Sequence, residues 1–510
     1  MKMLFSRRQL LASGAAATML AGLPEAHAQT SAKRLAAGTR VIDVNGKPAR
    51  VFHLSGPDGK PGLRLAPGER FNVLLANEAA VPTIIHWHGQ LPPWTQDGFP
   101  WPQTPPLAPG ATHVYDFAPI PGTYWMHSHR GLQEQSLMTA PLIVRDVAEA
   151  REDRQEIVLM LHDFSFRTPD ELLAGLTGTS VAVAGAMSEM MENVPAPVPR
   201  AATPHSAMAM SSAMSGMATS GSSMTSGSSS MPGMGSMHMD LNDVDYHAFL
   251  ANDRTLADPE VVRVERAGRA RLRVINGASS SQFWLDLGGL TGRVVAVDGH
   301  GVIPVSGRRF PIAIAQRLDI LLDLPDAGAF PVTAELEGTR RRTGIILATS
   351  GAAIAELAGM APGMTQPVDN SLEARLRATA PLTSRKPDVV HQIVLSGGMQ
   401  PYAWSLNGAF WPKITPLVLT KGQRVEIELI NHSTMAHPMH LHGHSFQVIA
   451  LNGRPVNGAV RDTVLVEPMP GSVRIAFDAV NPGRWAFHCH NLYHMATGMM
   501  TEFRYDGIVI

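Results

Sequence analysis

Histidines separated by one residue recur along the sequence, at His86/His88, His127/His129, His440/His442, His442/His444 and His488/His490. With 21 histidines in 510 residues, chance gives about one such pair, so five together are a signal where one would not be. On a strand, residues two apart point to the same face, and each pair presents two imidazoles together. Such a pair grips or bridges metal ions, because neutral imidazole is a favoured ligand for copper, zinc and iron. Buried histidines bonded to carbonyls would account for one pair. They do not account for four pairs placed equivalently in two repeated frames.

The only cysteine of the chain lies inside the last pair. In PGRWAFHCHNLYHMATGMM, Cys489 separates His488 from His490, with His494 and Met499 close behind. If the two histidines face one way, Cys489 faces the other, and one strand serves two metal sites joined by the shortest covalent path. A Cys, two His and a distant Met make the trigonal site with a weak axial thioether that defines blue, electron-transferring copper. The available partners are His494, Met499 and, from an earlier strand, His437. An inert buried thiol is common for a lone cysteine, but these neighbours argue against it. PGTYWMHSH repeats the frame with Ser128 at the place of Cys489, and the same superposition puts Thr83 at His437 and Gln133 at His494. The first frame thus lacks the strong ligands of the blue site and keeps its imidazoles. Eight histidines then meet between two domains, enough for several coppers with a position left open for dioxygen.

Strands must hold these side chains. GERFNVLLAN from Gly68, GRARLRVIN from Gly268 and GQRVEIELIN from Gly422 each read as a glycine turn, an alternating strand and a closing Asn. The pattern predicts an all-β protein of three β-sandwich domains, at about 38–150, 151–360 and 385–510, with the chemistry confined to the first and third. Residues 186–242 are rich in Ser, Gly and Met and are expected to form a flexible loop in the second domain. Nine methionines lie between Met208 and Met239, with His205 and His238 among them. Thioethers select Cu(I), which favours extra copper binding there over an incidental linker.

The formal net charge is −1, which gives no long-range field and argues against nucleic acid or an anionic membrane as partner. The N-terminus carries Arg7-Arg8, a short apolar run and Ala26-His27-Ala28. It reads as a twin-arginine-type export signal over 1–28, so the mature protein is expected in the periplasm, without stable membrane association and as a monomer. One cysteine permits no intrachain disulfide, so core burial must hold the fold.

HWHG, HSH, HPMHLHG and HCHNLYHMATGM, in that order, resemble the multicopper oxidases over essentially the whole mature chain. The resemblance implies three cupredoxin-like Greek-key sandwiches and four copper ions. By it, His437, Cys489 and His494 bind type 1 copper with Met499 axial, His86 and His440 bind type 2, and His88, His127, His129, His442, His488 and His490 hold the type 3 pair. His444 matches no ligand position and is read as structural. Asp97 resembles an acidic residue near type 2 copper, although a turn-forming Asp before Gly is an equal reading. Tyr493 stands where some relatives carry a proton-relaying Glu, which leaves the second proton route open. The implied reaction is one-electron oxidation at type 1, transfer through Cys489 to His488 and His490, and reduction of dioxygen to water. The Met-rich segment and LYHM look like the bacterial copper-resistance branch, implying a cuprous oxidase that turns Cu(I) into Cu(II). A laccase acting on phenols, aromatic amines or Mn(II) is the alternative, and a copper-sequestering carrier is a third reading.

Overall fold

The computed structural model describes residues 32–190 and 241–508. The expected export signal and nearly all of the Met-rich segment lie outside the described residues. That segment was expected to start at 186, but helix Val181–Met190 continues through MSEM. No helix among the described residues is long and apolar enough to cross a membrane.

Among the described residues the strands form six sheets. In the first unit, a sheet ordered Lys47–Ser55, Lys33–Val44, Phe71–Asn77, Thr112–Phe117 shares one core with a sheet ordered Leu63–Leu65, Thr139–Val144, Gly122–Ser128, Ile85–His88. The middle unit has a six- and a five-stranded sheet, and the last a seven- and a five-stranded sheet. The fold is therefore all-β, as read.

The three repeated segments become the same strand three times. Phe71–Asn77, Arg269–Asn276 and Arg424–Asn431 each pair in parallel with the first strand of their unit and antiparallel with a later one. The closing asparagines do the same work. Each is at least 99% buried and accepts the N–H two residues on, at 3.0, 3.2 and 2.8 Å. Each side-chain amide then donates across the loop, Asn77 to Val81 and Leu107, Asn276 to Ser281, Asn431 to Met435 and Glu467. An Asn fits because its short amide offers both donors and acceptor.

Two hairpins position the histidines. In the first unit the register pairs Ile85 with Ser128, His86 with His127 and His88 with Trp125. In the last it pairs Met439 with Cys489, His440 with His488 and Leu441 with Phe487. The registers are identical, so the equivalence drawn from HWHG/HLHG and HSH/HCH holds at the backbone.

One buried carboxyl gives a stability prediction away from the metal centre. Burial first of all pushes Glu337 up to about 7, although Val368 N–H and Gln282 Nε2 donate to it. Below the unfolded value near 4.5 both states hold the proton. Between 4.5 and 7 the unfolded chain gives it up first, so stability should fall by about 3 kcal/mol as pH rises through that window. Glu337→Gln, read by urea unfolding at both ends of the window, is expected to remove this fall. The Gln282 Oε1 atom, buried without a partner, is free to turn and accept from the new amide.

Candidate metal centre

Cys489, His437 and His494 converge inside the last unit. His437 Nδ1 and His494 Nδ1 are 3.1 Å apart, and Cys489 Sγ is 3.7 Å from each. A point equidistant from the three atoms lies about 2.0 Å from each, the length of a metal–imidazole bond. The outer edges of both rings are held: His437 Nε2 meets Ser433 Oγ at 2.7 Å, and His494 Nε2 meets Asp243 Oδ1 at 3.3 Å. Trp404 packs against His494 with ring centroids 4.0 Å apart. Met499 is fully buried, and its backbone bonds to both Cys489 and His494. Burial pushes the Cys489 thiol up, so without a cation it stays protonated.

On the other face of the Cys489 strand, the eight paired histidines from the two hairpins gather. Three-imidazole groups form among them, including His86/His440/His442, His86/His127/His129, His88/His127/His490 and His129/His442/His488. All eight are at least 97% buried. Burial is the largest cause holding His88, His127, His129, His440, His442, His488 and His490 below their ordinary value, His488 at about 3. They are therefore neutral, the form that ligates metal.

Two aspartates fix the rings in matching fashion. His86 Nδ1 donates to the Asp97 carbonyl at 2.8 Å, and the Asp97 carboxylate accepts from His442 Nδ1 at 2.8 Å. His440 Nδ1 donates to the Asp462 carbonyl at 2.9 Å, and the Asp462 carboxylate accepts from His88 Nε2 at 3.0 Å. His488 Nδ1 donates to the Cys489 carbonyl at 2.9 Å. Each bond occupies one nitrogen and aims the other inward. His86 Nε2, His88 Nδ1, His129 Nε2, His440 Nε2 and both nitrogens of His490 are buried without a hydrogen-bond partner. So many orphaned imidazole nitrogens would be costly in a metal-free design, and they fit a copper cluster.

Asp97, singled out in the sequence, lies against the histidines, and three further carboxylates that do so were not singled out. Burial opposes ionisation of Asp462, but Arg317, then His88, overcomes it and holds the carboxyl well below its usual range. Glu134 lies 2.7 Å from His127 Nδ1 and 3.9 Å from His490 Nδ1, and burial pushes it well above that range. Asp243 is the third. None repeats at a recognisable spacing, and only the fold brings Asp462, 374 positions away, to His88. His444 is turned away: its Nδ1 bonds the His442 carbonyl and its Nε2 the Tyr505 hydroxyl at 2.6 Å.

The counterpart of the cysteine site in the first unit holds no metal ligands except one thioether residue. Thr83 and Ser128 both donate to Gln133 Oε1 at 2.8 Å. Met138 occupies the place of Met499, accepting the Ser128 N–H at 3.0 Å where Met499 accepts that of Cys489 at 3.1 Å. The frame is kept and the ligands exchanged. Thr83→His combined with Ser128→Cys and Gln133→His is expected to add a second blue absorption and one copper per chain, and neither should change if the two frames are not equivalent.

Profiles of multicopper oxidases match residues 38–149, 203–355 and 384–507. The Multicopper oxidase MmcO of Mycobacterium tuberculosis is 30% identical, over 98% of this chain and 97% of its own. The chain belongs to the multicopper oxidase family. Copper resistance protein A of Escherichia coli is 26% identical over 92% of each chain. The crystal structure of Fet3p, a multicopper oxidase that functions in iron import, superposes with a TM-score of 0.71 at 19% identity, covering 93% of this chain and 90% of that one. This last similarity speaks for the fold. As a multicopper oxidase the protein is a copper-dependent oxidoreductase, and the thiolate and imidazole donors described above suit that metal.

Proposed function

We propose that the protein is an exported cuprous oxidase that turns Cu(I) into Cu(II) at the expense of dioxygen, 4 Cu(I) + O₂ + 4 H⁺ giving 4 Cu(II) + 2 H₂O. Its ligand sets are those implied by the motifs: His437, Cys489 and His494 with axial Met499 for type 1, His86 and His440 for type 2, and His88, His127, His490 with His129, His442, His488 for the type 3 pair. Two of the three-imidazole groups, His88/His127/His490 and His129/His442/His488, coincide with the two halves of the type 3 set, while His86/His440/His442 and His86/His127/His129 join His86 to members of it. Bound copper supplies the one-electron redox chemistry at both sites. The protein supplies the rest: the backbone through Cys489 links the two sites, Asp97 and Asp462 hold the ring tautomers, and burial excludes water.

One observation carries the choice of donor. Asp243, whose carboxylate touches the outer edge of His494, lies four residues after the last methionine of the Met-rich segment. Four residues span at most about 14 Å. The sequence therefore brings a soft Cu(I) ligand close along the chain to a carboxylate that touches His494, and the anionic Asp243 favours a cationic donor over a neutral phenol. The similarity to a protein named for copper resistance supports the same reading, and the twin-arginine-type N-terminus supports a periplasmic location.

Deleting residues 205–239 is expected to cut oxygen uptake with Cu(I) while leaving uptake with small phenols unchanged or faster. Equal uptake with Cu(I) before and after deletion would instead favour a laccase.

A further inference from the structure

A cleft of about 460 Å³ opens between the first and middle units. Exposed Lys60 and Arg254 stand at its mouth, and Thr139, Met160 and His162 line its floor. His162 is 95% buried, yet its Nδ1 has no hydrogen-bond partner. Its Nε2 lies 2.7 Å from Thr139 Oγ1. Thr139 is in turn the register partner of His127 on the neighbouring strand. Cross-strand partners share a face with Cβ atoms about 5 Å apart, so Thr139 stands beside His127 at the edge of the eight-histidine cluster; neither His127 ring nitrogen bonds it directly, and one water would bridge the two. Gly277 packs over this contact, where any Cβ would lie 2.6 Å from Met160 Cε and 3.2 Å from His162 Nε2.

Reducing dioxygen consumes four protons for every two waters formed, and those protons must enter a cluster whose histidines are at least 97% buried. The hydroxyl at 493 is donated to Gln135 Oε1 at 3.1 Å, away from solvent. The cleft leads to a buried imidazole whose Nε2 meets Thr139 and whose Nδ1 is left without a hydrogen-bond partner. We infer that this cleft is the proton port of the histidine cluster, and that His162 passes protons from cleft water to the Thr139 hydroxyl.

In each cycle Nδ1 takes a proton from water, Nε2 releases one to Thr139 Oγ1, and the hydrogen of that hydroxyl moves inward. Each transfer leaves the ring protonated at Nδ1, so a ring flip and a turn of the Thr139 hydroxyl must restore the starting arrangement before the next, and four such rounds match the four electrons arriving from the cysteine side. The charged groups facing the ring are balanced. Asp253 and Asp163 favour its protonation, while Arg40 opposes it, and burial is the largest influence, holding it below its ordinary value. A transiently charged imidazole suits a relay better than a permanently charged one.

The proposal rests on the reading of the cluster as the oxygen-reducing site. The test uses copper-loaded full chain with His162→Gln and Thr139→Val, measuring oxygen uptake at saturating donor from pH 5 to 8, its solvent isotope effect and rescue by imidazole. Anaerobic bleaching of the blue band and copper content are measured alongside. Uptake by His162→Gln should fall roughly 10²-fold, the lower end of what proton transfer contributes. Its isotope effect should rise, and free imidazole should restore uptake relative to intact protein in the same buffer. Thr139→Val should show the same fall without rescue. Bleaching and copper content should stay unchanged, because electrons enter elsewhere. Unaltered uptake and pH profile in both variants, or a fall that tracks copper loss, would overturn the port. Absence of uptake by the intact protein would instead overturn the reading on which it rests.

Discussion

Cys489→Ser is expected to erase the blue absorption, remove one copper per chain and stop oxygen uptake with every donor. The chain contains its own control for this substitution. At Ser128, in an identical strand register, a serine sits in a hydrogen-bonded trio with Thr83 and Gln133 and offers no soft ligand. A serine hydroxyl at 489 would leave His437 and His494 as a two-nitrogen site, too weak to hold copper in a trigonal frame. Losing an outer-shell partner costs a metal site roughly 10–100-fold, and losing the thiolate itself should cost more. The eight cluster histidines are untouched, so their copper and its magnetic resonance signature should persist. A variant that kept turnover would place the electron entry elsewhere.

Arg317→Met is expected to be the most damaging change outside the ligands. Arg317 is fully buried between Asp462 and Asp298, with Nη1 2.8 Å from Asp462 Oδ1 and a second bond from Nη2 to the other oxygen. It also donates to the carbonyls of Ala315 and Thr123. Asp298 is shared with Arg461, which reaches Glu373, so the pair is part of a buried chain of alternating charge. Removing one member of a buried ion pair costs about 3–5 kcal/mol, because the partner is left uncompensated. Asp462 would then take up a proton and weaken its grip on His88 Nε2. Both effects should appear together, as a lower unfolding midpoint of the metal-free protein and as faster copper loss. Arg317→Lys retains the charge and should suffer less, although a lysine cannot reproduce the paired contacts. Unchanged stability and copper retention in Arg317→Met would contradict this assignment.

Much of the architecture was legible because it repeats. A period of two announced strands, and the recurrence of a glycine turn, alternating strand and closing Asn announced the same strand three times over. The H-x-H pairs were legible for the same reason, and the structure brings all eight histidines of the four equivalent pairs together. The fifth pair misleads only in half. Gly443, at a φ of +64°, turns the chain after His442, so His444 leaves the strand face on which the period-two argument depends. Any side chain at 443 would also drive into the Trp485 ring, 2.2 Å from a built Cβ. Asp462, Glu134 and Asp243 could not be read, because single carboxylates carry no period and meet their histidines only through folding. The helical pair Pro169–Thr177 and Val181–Met190 was also missed. The first of these is marked by a capping box from Thr168 to Glu171 and a left-handed Gly178, but the composition of the following segment hid it.

If the cysteine site and the histidine cluster act as one oxidase for Cu(I), electrons taken from the donor and dioxygen consumed must stand in a fixed ratio. The most direct measurement is the ratio of Cu(I) oxidised to dioxygen consumed by copper-loaded protein, with peroxide assayed in the same vessel and Cys489→Ser as the blank. Four Cu(I) per dioxygen, no peroxide, and no consumption by the variant is the expected result. Release of peroxide at two Cu(I) per dioxygen, or equal consumption by Cys489→Ser, would contradict it.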